Sequence, residues 1–188
     1  MSKNNTYTPK ELDDLVRQAQ QGKTEAFEKL YNAFVDKIYR YIYYRTNKED
    51  ALDLCETVFL KVWENIGSYK TGKKYFSPWV YRIAHNIVVD HYRLTKETVE
   101  LSYEIPMEDR EQDPMKLTEN KLNNDVLMKA VSQLKEKYRE VIILKYVNEL
   151  SNREIARIMK RTEGNLRILK FRALKSLKQI LKDMGVNP

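Results

Sequence analysis

The sequence predicts an all-α protein with two small helical domains joined by an acidic flexible linker, the C-terminal domain containing a helix-turn-helix. Apolar residues recur at spacings of three and four through most of the chain, which is the period of helices with one buried side. Five Gly and five Pro in 188 residues are too few for a fold rich in turns or strands. We place the domains at residues 1–94 and 120–188 and the linker at residues 95–119.

Charge divides the chain at nearly the same places. Residues 120–188 hold 16 Lys/Arg against 7 Asp/Glu, residues 94–119 hold 3 against 8, and residues 1–93 hold 15 against 12. A basic C-terminal third is typical of a protein that binds a polyanion. The acidic middle contains Pro106 and Pro114 and has no helical period, as expected of a linker with little structure of its own.

Composition also indicates the cellular compartment in which the protein works. The one cysteine, Cys55, has no partner for an internal disulfide and favours the reducing cytoplasm. The sequence contains no signal-peptide pattern and no apolar run approaching the roughly 18 residues of a membrane span. We therefore expect a cytoplasmic protein with no direct membrane insertion.

The N-terminal part predicts four helices, each with a start signal of its own. Thr8 and Glu11 form a capping box at the start of the first helix. Thr24 is expected to cap the second helix, and Asn47 the third. Ser77-Pro78 is expected to open the fourth helix as its N-cap and first helical residue.

The C-terminal part predicts a helix-turn-helix on a platform of two helices. The platform helices are expected at residues 120–134 and 136–147, and the motif itself at residues 151–181. Ser151 and Glu154 form a second capping box, which begins the first helix of the motif.

The second helix of the motif has a buried side and a basic side. It follows a three-residue turn and is expected to begin after Thr162, a good N-cap. Leu166, Leu169 and Ala173 fall on its buried side. At about 30 Å in length it is sized for a major groove. The competing interpretation is an ordinary helical hairpin whose basic side is only solvated. The basic side carries Arg167, Phe171, Arg172 and Lys175.

A second candidate for nucleic-acid binding is the loop and helix at residues 69–93, where cations alternate with aromatic rings. Cations that follow a backbone and rings that stack on unpaired bases are the ingredients of single-strand binding. Alternatively, the rings pack between helices, which is what we expect of Trp79; for the loop both interpretations remain open. The residues concerned are Lys70, Lys73, Lys74, Arg82 and Arg93, with Tyr69, Tyr75, Phe76, Trp79, Tyr81 and Tyr92.

Catalysis finds little support in the sequence. His85 and His91 are six residues apart, a spacing that does not place two metal ligands on one helical face. The chain has no Gly-rich phosphate loop and no nucleophile-elbow motif. We therefore expect a non-enzyme that needs no cofactor, no metal and no small-molecule substrate.

With these parts placed, the order of elements resembles an extracytoplasmic-function sigma factor of bacterial RNA polymerase. Three segments carry the resemblance: DALDLCETVFLKVW (residues 50–63), FSPWVYRIAHNIVVDHYR (residues 76–93) and LSNREIARIMKRTEGNLRILKFRALKSL (residues 150–177). The resemblance implies that the first segment docks on the clamp helices of the polymerase largest subunit. It also implies that the second opens and reads the −10 element and that the third reads the −35 element. Family members are commonly held by an anti-sigma protein, which is expected here as a further partner.

The resemblance also assigns roles to individual positions. It implies polymerase docking, direct or by support, for Asp50, Asp53, Leu54, Glu56, Phe59 and Trp63. It implies contact with the −10 strand for Lys73, Lys74, Arg82 and Asn86. For the −35 element, Arg167, Phe171 and Arg172 occupy the reading face, where Arg can grip guanine at two points. The complete −35 set is Arg153, Arg157, Thr162, Arg167, Phe171, Arg172 and Lys175.

The chain departs from the family pattern in two regions of the third segment. Lys160 in the turn, and Glu149 just before the motif, stand where the family often has glycine. A left-handed backbone at Lys160 would cost about 1–2 kcal/mol. In the second helix Ile168-Leu169-Lys170 replaces a frequent Ser-Arg-Leu/Ile, and we expect Leu169 in the core with Lys170 facing outward.

Two other functions are kept as alternatives. A helix-turn-helix repressor or activator would bind DNA without docking on polymerase, but it needs a dimer to read a two-fold site, and the sequence has no heptad zipper. A scaffold would bind another protein through residues 1–93 alone. A helical enzyme is a more distant alternative.

Overall fold

The computed structural model of the protein describes residues 7–46, 48–72, 75–99 and 120–186. Within these ranges the chain forms eight α-helices and no β-strand, which confirms the predicted all-α fold. The helices are α1 (Pro9–Gln20), α2 (Thr24–Tyr43), α3 (Lys48–Asn65), α4 (Phe76–Val99), α5 (Asn120–Ser132), α6 (Glu136–Ile142), α7 (Asn152–Ile158) and α8 (Glu163–Asp183).

Both predicted capping boxes are present. The Thr8 hydroxyl accepts a hydrogen bond from the Glu11 backbone N–H at 3.3 Å, and the Glu11 carboxylate accepts one from the Thr8 backbone N–H at 2.7 Å. Ser151 and Glu154 make the same reciprocal pair at the start of α7. Each box satisfies two backbone donors that the first turn of a helix leaves free.

Two predicted helix starts are wrong by one or two residues. Thr24 is the first helical residue of α2 and not its cap, because the chain enters the helix from an extended Lys23, whose carbonyl accepts the Ala26 N–H at 3.1 Å. Helix α4 begins at Phe76, before Ser77-Pro78. Phe76 is buried in the core, and its packing sets the start of the helix ahead of the local cap signal. The predicted cap Asn47 lies outside the described residues.

Helices α1 to α4 pack around one apolar core. Its fully buried members come from all four helices and include Val16, Ile38, Val58 and Val80. Trp79 packs against Tyr69 and Phe76 with ring centroids 5.2 and 5.5 Å away, as expected from the sequence. This core fixes the orientation of α3 and α4, whose outer faces carry the candidate site residues.

The C-terminal helices pack in the same way and continue the core. Helix α6 passes into a π-helical turn, Ile143–Val147, in which the Asn148 N–H donates to the Ile143 carbonyl at 3.0 Å. Ile143, Leu144, Ile155 and Leu166 are fully buried around this turn. The apolar clusters of the N-terminal and C-terminal helices are contiguous, so the two parts of the chain pack directly on each other.

The predicted linker is described only at its start. Helix α4 continues to Val99, which makes the first five residues of the 95–119 segment helical. Residues 100–119 lie outside the described residues, so the linker and the domain boundaries remain predictions. Among the described helices, none combines the length and the apolar character that crossing a bilayer requires.

Within the ranges that the structure describes, two non-glycine residues hold a left-handed backbone. Lys160, in the turn of the helix-turn-helix, has φ 52°, and Glu149, before α7, has φ 56°. Both positions were singled out in the sequence as places where glycine is usual. A side chain at such a position costs about 1–2 kcal/mol.

We therefore expect Lys160→Gly to raise the free energy of unfolding by about 1 kcal/mol, because the strain removed exceeds the flexibility that glycine adds to the unfolded chain. Urea unfolding followed by circular dichroism measures the difference. Lys178→Gly, at an exposed position inside α8, is the control and should lower the same free energy by about 0.5–1 kcal/mol. Equal losses in the two variants would contradict the strain at Lys160.

Candidate nucleic-acid and polymerase interfaces

Helix α8 presents one exposed cationic and aromatic face above a buried apolar one. Thr162 caps the helix by accepting the Asn165 N–H at 3.2 Å. Leu166, Leu169 and Ala173 are buried, as predicted, and they hold the helix on its support. Phe171 is 69% exposed. Four members of the predicted −35 set are on the exposed face of this helix: Arg167, Phe171, Arg172 and Lys175.

The predicted −10 residues are divided by the structure. Arg82 and Asn86 lie one turn apart on α4, with Arg82 partly buried and Asn86 exposed. Lys73 and Lys74 lie outside the described residues. The neighbouring rings are not free to stack on bases, because Tyr69 and Phe76 are buried in the core. For Tyr69 and Phe76 the packing interpretation is therefore the correct one.

The predicted −10 face of α4 lies against α7 of the helix-turn-helix. An Arg82 guanidinium N–H donates to the backbone carbonyl of Arg157 at 2.5 Å. The guanidinium of Arg157 in turn lies 4.1 Å from the ring centroid of Tyr75, and that of Arg153 lies 5.6 Å from it. Cation–ring contacts at these distances are stabilising. Residues assigned separately to the −10 and −35 elements thus share one interface.

A buried carboxylate, Glu140 of α6, lies at the centre of this interface. Its Oε1 atom is 2.7 Å from Nδ1 of His85 and 3.5 Å from the Arg45 guanidinium. The Tyr41 hydroxyl donates to the same oxygen at 3.4 Å and accepts from Arg45 at 2.5 Å. Arg45 also pairs with the exposed Glu136 at 3.1 Å. Carboxylate and guanidinium are thus both buried with their opposite charges 3.5 Å apart, and their hydrogen bonds are made to Tyr41, His85 and Glu136.

The chemistry of Glu140 fixes the protonation of its neighbours. A carboxylate can only accept, so Nδ1 of His85 carries a hydrogen and donates it. The 3.2 Å approach of Arg45 to the same Nδ1 is therefore a close contact and not a second hydrogen bond. Burial raises the pKa of Glu140, but the hydrogen bond from His85 and the charge of Arg45 outweigh it, so that the pKa is lowered below 4.5. Burial raises the pKa of Tyr41, which keeps the phenol neutral.

A second polar contact crosses the interface beside this cluster. Tyr81 is fully buried, and its hydroxyl donates to Oδ1 of Asn148 at 2.9 Å. Asn148 itself is buried and donates to the Ile143 carbonyl at 3.4 Å. The π-helical turn therefore places the amide where the α4 hydroxyl can reach it.

Cations collect in a cleft of about 190 Å³ at the edge of the interface. They come from α4, α6 and the turn of the helix-turn-helix, and Glu140 lines the same cleft as an anion; the cations are Arg82, Lys137, Lys160 and Arg161. Within the described part of the chain, Nε of Arg82 and Nη1 of Arg157 are buried without a hydrogen-bond partner. Each such donor costs about 1–3 kcal/mol. The interface therefore combines one well-satisfied cluster with a rim of like charges and unmet donors.

The outer face of α3 is acidic and apolar. Asp53 and Glu56 are exposed, and Leu52 and Leu60 beside them are 56% and 59% exposed. Such a face suits a partner surface that is both basic and apolar.

The remaining predicted docking residues are tied to neighbouring helices. Phe59 is buried, with its ring 4.6 Å from that of Tyr31. Trp63 lies edge-on to Phe27, and Leu54 is half-buried. The Asp50 carboxylate is 3.0 Å from Nε2 of His91. Phe59 and Leu54 help to hold the helix in place, while Trp63, which is 44% exposed, and the exposed acids are available for contact.

Sequence reasoning missed the residues that join the two parts of the chain. Arg45 and Glu140 are buried ions without a local motif, and their partners are about a hundred residues away along the chain. One signal was present: both are charged positions beside buried residues, Arg45 in the turn just after α2 and Glu140 within α6. That signal alone does not identify the partner.

Family models match both parts of the chain. The model for Sigma-70 region 2 matches residues 30–98, and that for Sigma-70, region 4 matches residues 124–177. Among curated relatives, the ECF RNA polymerase sigma factor SigW of Bacillus subtilis is 30% identical over 181 residues, covering 90% of this chain and 96% of the relative. The ECF RNA polymerase sigma factor BldN of Streptomyces coelicolor is 34% identical over 173 residues, covering 90% of this chain and 66% of the relative.

Solved structures agree on the fold. The structure of CnrH in complex with the cytosolic domain of CnrY superposes with a TM-score of 0.72 at 19% identity, covering 92% of this chain and 98% of that one. The structure of the sigma factor RpoE in complex with the anti-sigma factor NepR from Bartonella quintana superposes with a TM-score of 0.71 at 23% identity. The match covers 83% of this chain and 96% of that one.

The chain therefore belongs to the extracytoplasmic-function sigma factors of the sigma-70 family. It is a promoter-specificity subunit that binds core RNA polymerase and promoter DNA, and it is not an enzyme.

The lowered pKa of Glu140 makes stability depend on acid pH. The Glu140 carboxylate binds a proton less readily in the folded protein than in the unfolded chain. Its contribution to the free energy of unfolding is therefore complete above pH 4.5 and is lost as the pH falls through the folded pKa. Glu140→Gln should lower stability at pH 7 and flatten its fall below pH 4.5, measured by urea unfolding at a series of pH values. Asp14→Asn, which breaks an exposed pair with Arg17, is the control and should keep the wild-type dependence of the free energy of unfolding on pH. If Glu140→Gln also kept that dependence, Glu140 would not be the group responsible.

Proposed function

We propose that the chain divides promoter recognition between its two ends. Residues 120–188 hold the −35 element as duplex through the helix-turn-helix. Residues 1–94 dock on the clamp helices of the largest polymerase subunit and capture the −10 element as it opens. The observation that carries this proposal is the exposed cationic and aromatic face of α8 above its buried apolar side.

For the −35 element, the proposal separates residues that read bases from residues that hold phosphates. Arg167 and Arg172 can each grip guanine O6 and N7, and the exposed Phe171 ring can contact a thymine methyl group. Three cations position α8 on the DNA backbone: Lys175 of α8 itself, and Arg153 and Arg157 of α7. The Thr162 end of α8 faces the same groove.

For the −10 element, the proposal rests on α4. Asn86 is exposed and offers both a donor and an acceptor to the edge of an unpaired base. Arg82 supplies a cation beside it, and the preceding loop adds Lys73 and Lys74. Unstacking a base step costs a few kcal/mol, and contacts of this kind must offset that cost.

For polymerase, the proposal uses the acidic and apolar outer face of α3. Asp53 and Glu56 make the charged contacts, while Asp50, Leu54, Phe59 and Trp63 hold the helix or add apolar area. The acidic segment 95–119 suits a cationic polymerase channel and would be repelled by DNA. A chain that works on polymerase acts in the cytoplasm, and we expect an anti-sigma protein to hold it there, as NepR and CnrY bind the similar proteins.

Base reading and phosphate holding are separable by mutation. Arg167→Ala should weaken binding of a −35 duplex by about 1–3 kcal/mol and relax the preference at one base pair, because a two-point contact is lost. Lys175→Ala should weaken all duplexes alike and reduce the slope of log K against log salt by about 1. Fluorescence anisotropy with a duplex library at several salt concentrations measures both. Sequence-independent losses for Arg167→Ala would refute its reading role.

Docking and promoter opening are separable in a transcription assay. With core polymerase, Asn86→Ala should retain polymerase binding but lose promoter opening, measured by permanganate reactivity and run-off transcripts. Glu56→Lys should instead lose polymerase binding, because the charge at this position of the docking face changes sign. Loss of polymerase binding in Asn86→Ala would contradict the assignment of Asn86 to the −10 element. If adding the wild-type protein to core polymerase left the run-off transcripts unchanged and without promoter preference, the proposed function would be overturned.

A further inference from the structure

We propose that Ile168 of α8 is a further specificity-determining residue for the −35 element and that it selects thymine. Together with Gly164 and Phe171 it forms what we call the apolar strip. The inference rests on the base-reading role proposed above for α8, and it names the bases that this helix prefers.

The apolar strip runs along the middle of the exposed face of α8. Positions three and four apart are neighbours on a helix surface, so Gly164, Ile168 and Phe171 follow one another in a line. Ile168 is 53% exposed and Phe171 is 69% exposed, whereas Leu169 between them is buried. The strip therefore points away from the core, to the side on which we propose that DNA binds.

Two guanidinium groups flank the apolar strip. Arg167 comes just before Ile168 and Arg172 just after Phe171, and the helical period of 3.6 residues puts the two arginines on opposite edges of the strip. Apolar residues that are exposed singly are common and need no explanation. Here two apolar side chains are adjacent, and they lie between the arginines that we propose to grip guanine. The approach that brings those arginines to the bases therefore brings the strip there too.

Gly164 allows the N-terminal end of the strip to come close to another molecule. Its backbone is helical, and a methyl group in place of its hydrogen would meet no atom of the described chain within 4 Å, its own helical turn aside. Glycine weakens a helix compared with alanine, so neither the conformation nor the packing of the folded chain calls for it. A bare position on the exposed face suits a close approach of the helix backbone to a ligand.

The chemistry of the major groove determines which base an apolar side chain selects. Only thymine presents a methyl group there, and the characteristic groups of the other three bases are hydrogen-bond donors and acceptors. Ile168 has no polar side-chain atom, so against any other base it would leave a donor or acceptor without a partner. A serine hydroxyl, frequent at this position in the family, both donates and accepts. Isoleucine therefore narrows the choice to thymine.

The spacing within the strip predicts where the thymines lie. Side chains three residues apart on a helix have Cβ atoms about 5–6 Å apart, and successive base pairs are about 3.4 Å apart. Ile168 and Phe171 can therefore reach methyl groups that are one or two base pairs apart, on either strand. We expect a −35 element that contains two thymines at that separation.

The test removes single methyl groups from the DNA. Full-length protein bound to core polymerase first selects its preferred sequence from promoter duplexes that are randomised in the −35 region. Each thymine of the selected sequence is then replaced, one at a time, by deoxyuridine, which lacks only the methyl group. Competition experiments followed by fluorescence anisotropy give the ratio of the dissociation constants without and with each methyl group.

With the wild-type protein, two of these replacements should each raise the dissociation constant about fourfold, which is the effect expected from exposing one methyl group. In Ile168→Ser one of the two effects should be lost, and in Phe171→Ala the other. Ile168→Val keeps a branched apolar side chain and should keep most of the effect. Leu127→Ala, which trims a 42% exposed residue of α5, is the control and should show both effects at their wild-type size.

Two results would overturn the inference while leaving the proposed function in place. One is a selected −35 sequence in which no replacement of thymine by deoxyuridine weakens binding. The other is a pair of methyl effects that both stay unchanged in Ile168→Ser, because another residue would then read that base. A polymerase-bound protein that selects no −35 sequence at all would contradict the proposed function, and the inference with it.

Discussion

One buried carboxylate lies at the centre of the packing between the two parts of this sigma factor. Glu140 reaches across the interface to His85, Arg45 and Tyr41, and it remains ionised there because those partners outweigh the loss of water. Buried ion pairs add little net stability compared with apolar packing, but they fix one arrangement because any other leaves a charge unpaired. The cluster therefore specifies how α6 and α7 lie on α4 more than it strengthens the core.

The same interface explains why sites that look independent in the sequence are coupled in the fold. The contiguous apolar core and the Glu140 cluster bring the N-terminal and C-terminal helices together, so that residues proposed for the −10 and −35 elements lie at one interface.

Local patterns were enough to predict most helices and the exposed faces of α3 and α8. Capping boxes at Thr8 and Ser151 and the period of Leu166, Leu169 and Ala173 are local signals, and the structure confirms them. The start of α4 was missed because burial of Phe76, a tertiary effect, overrides the Ser77 cap signal. The interface was missed for a related reason: Arg45 and Glu140 are ordinary charged residues in sequence, and only the fold makes them partners.

Small-angle X-ray scattering from the free chain tests the central claim most directly, because it reports whether the two parts are packed together in solution. A single packed body of this length has a radius of gyration of about 16 Å, and the account predicts a value close to that, increasing in Glu140→Gln. A wild-type curve with two separated maxima in its distance distribution, and a radius no smaller than that of the variant, would contradict it.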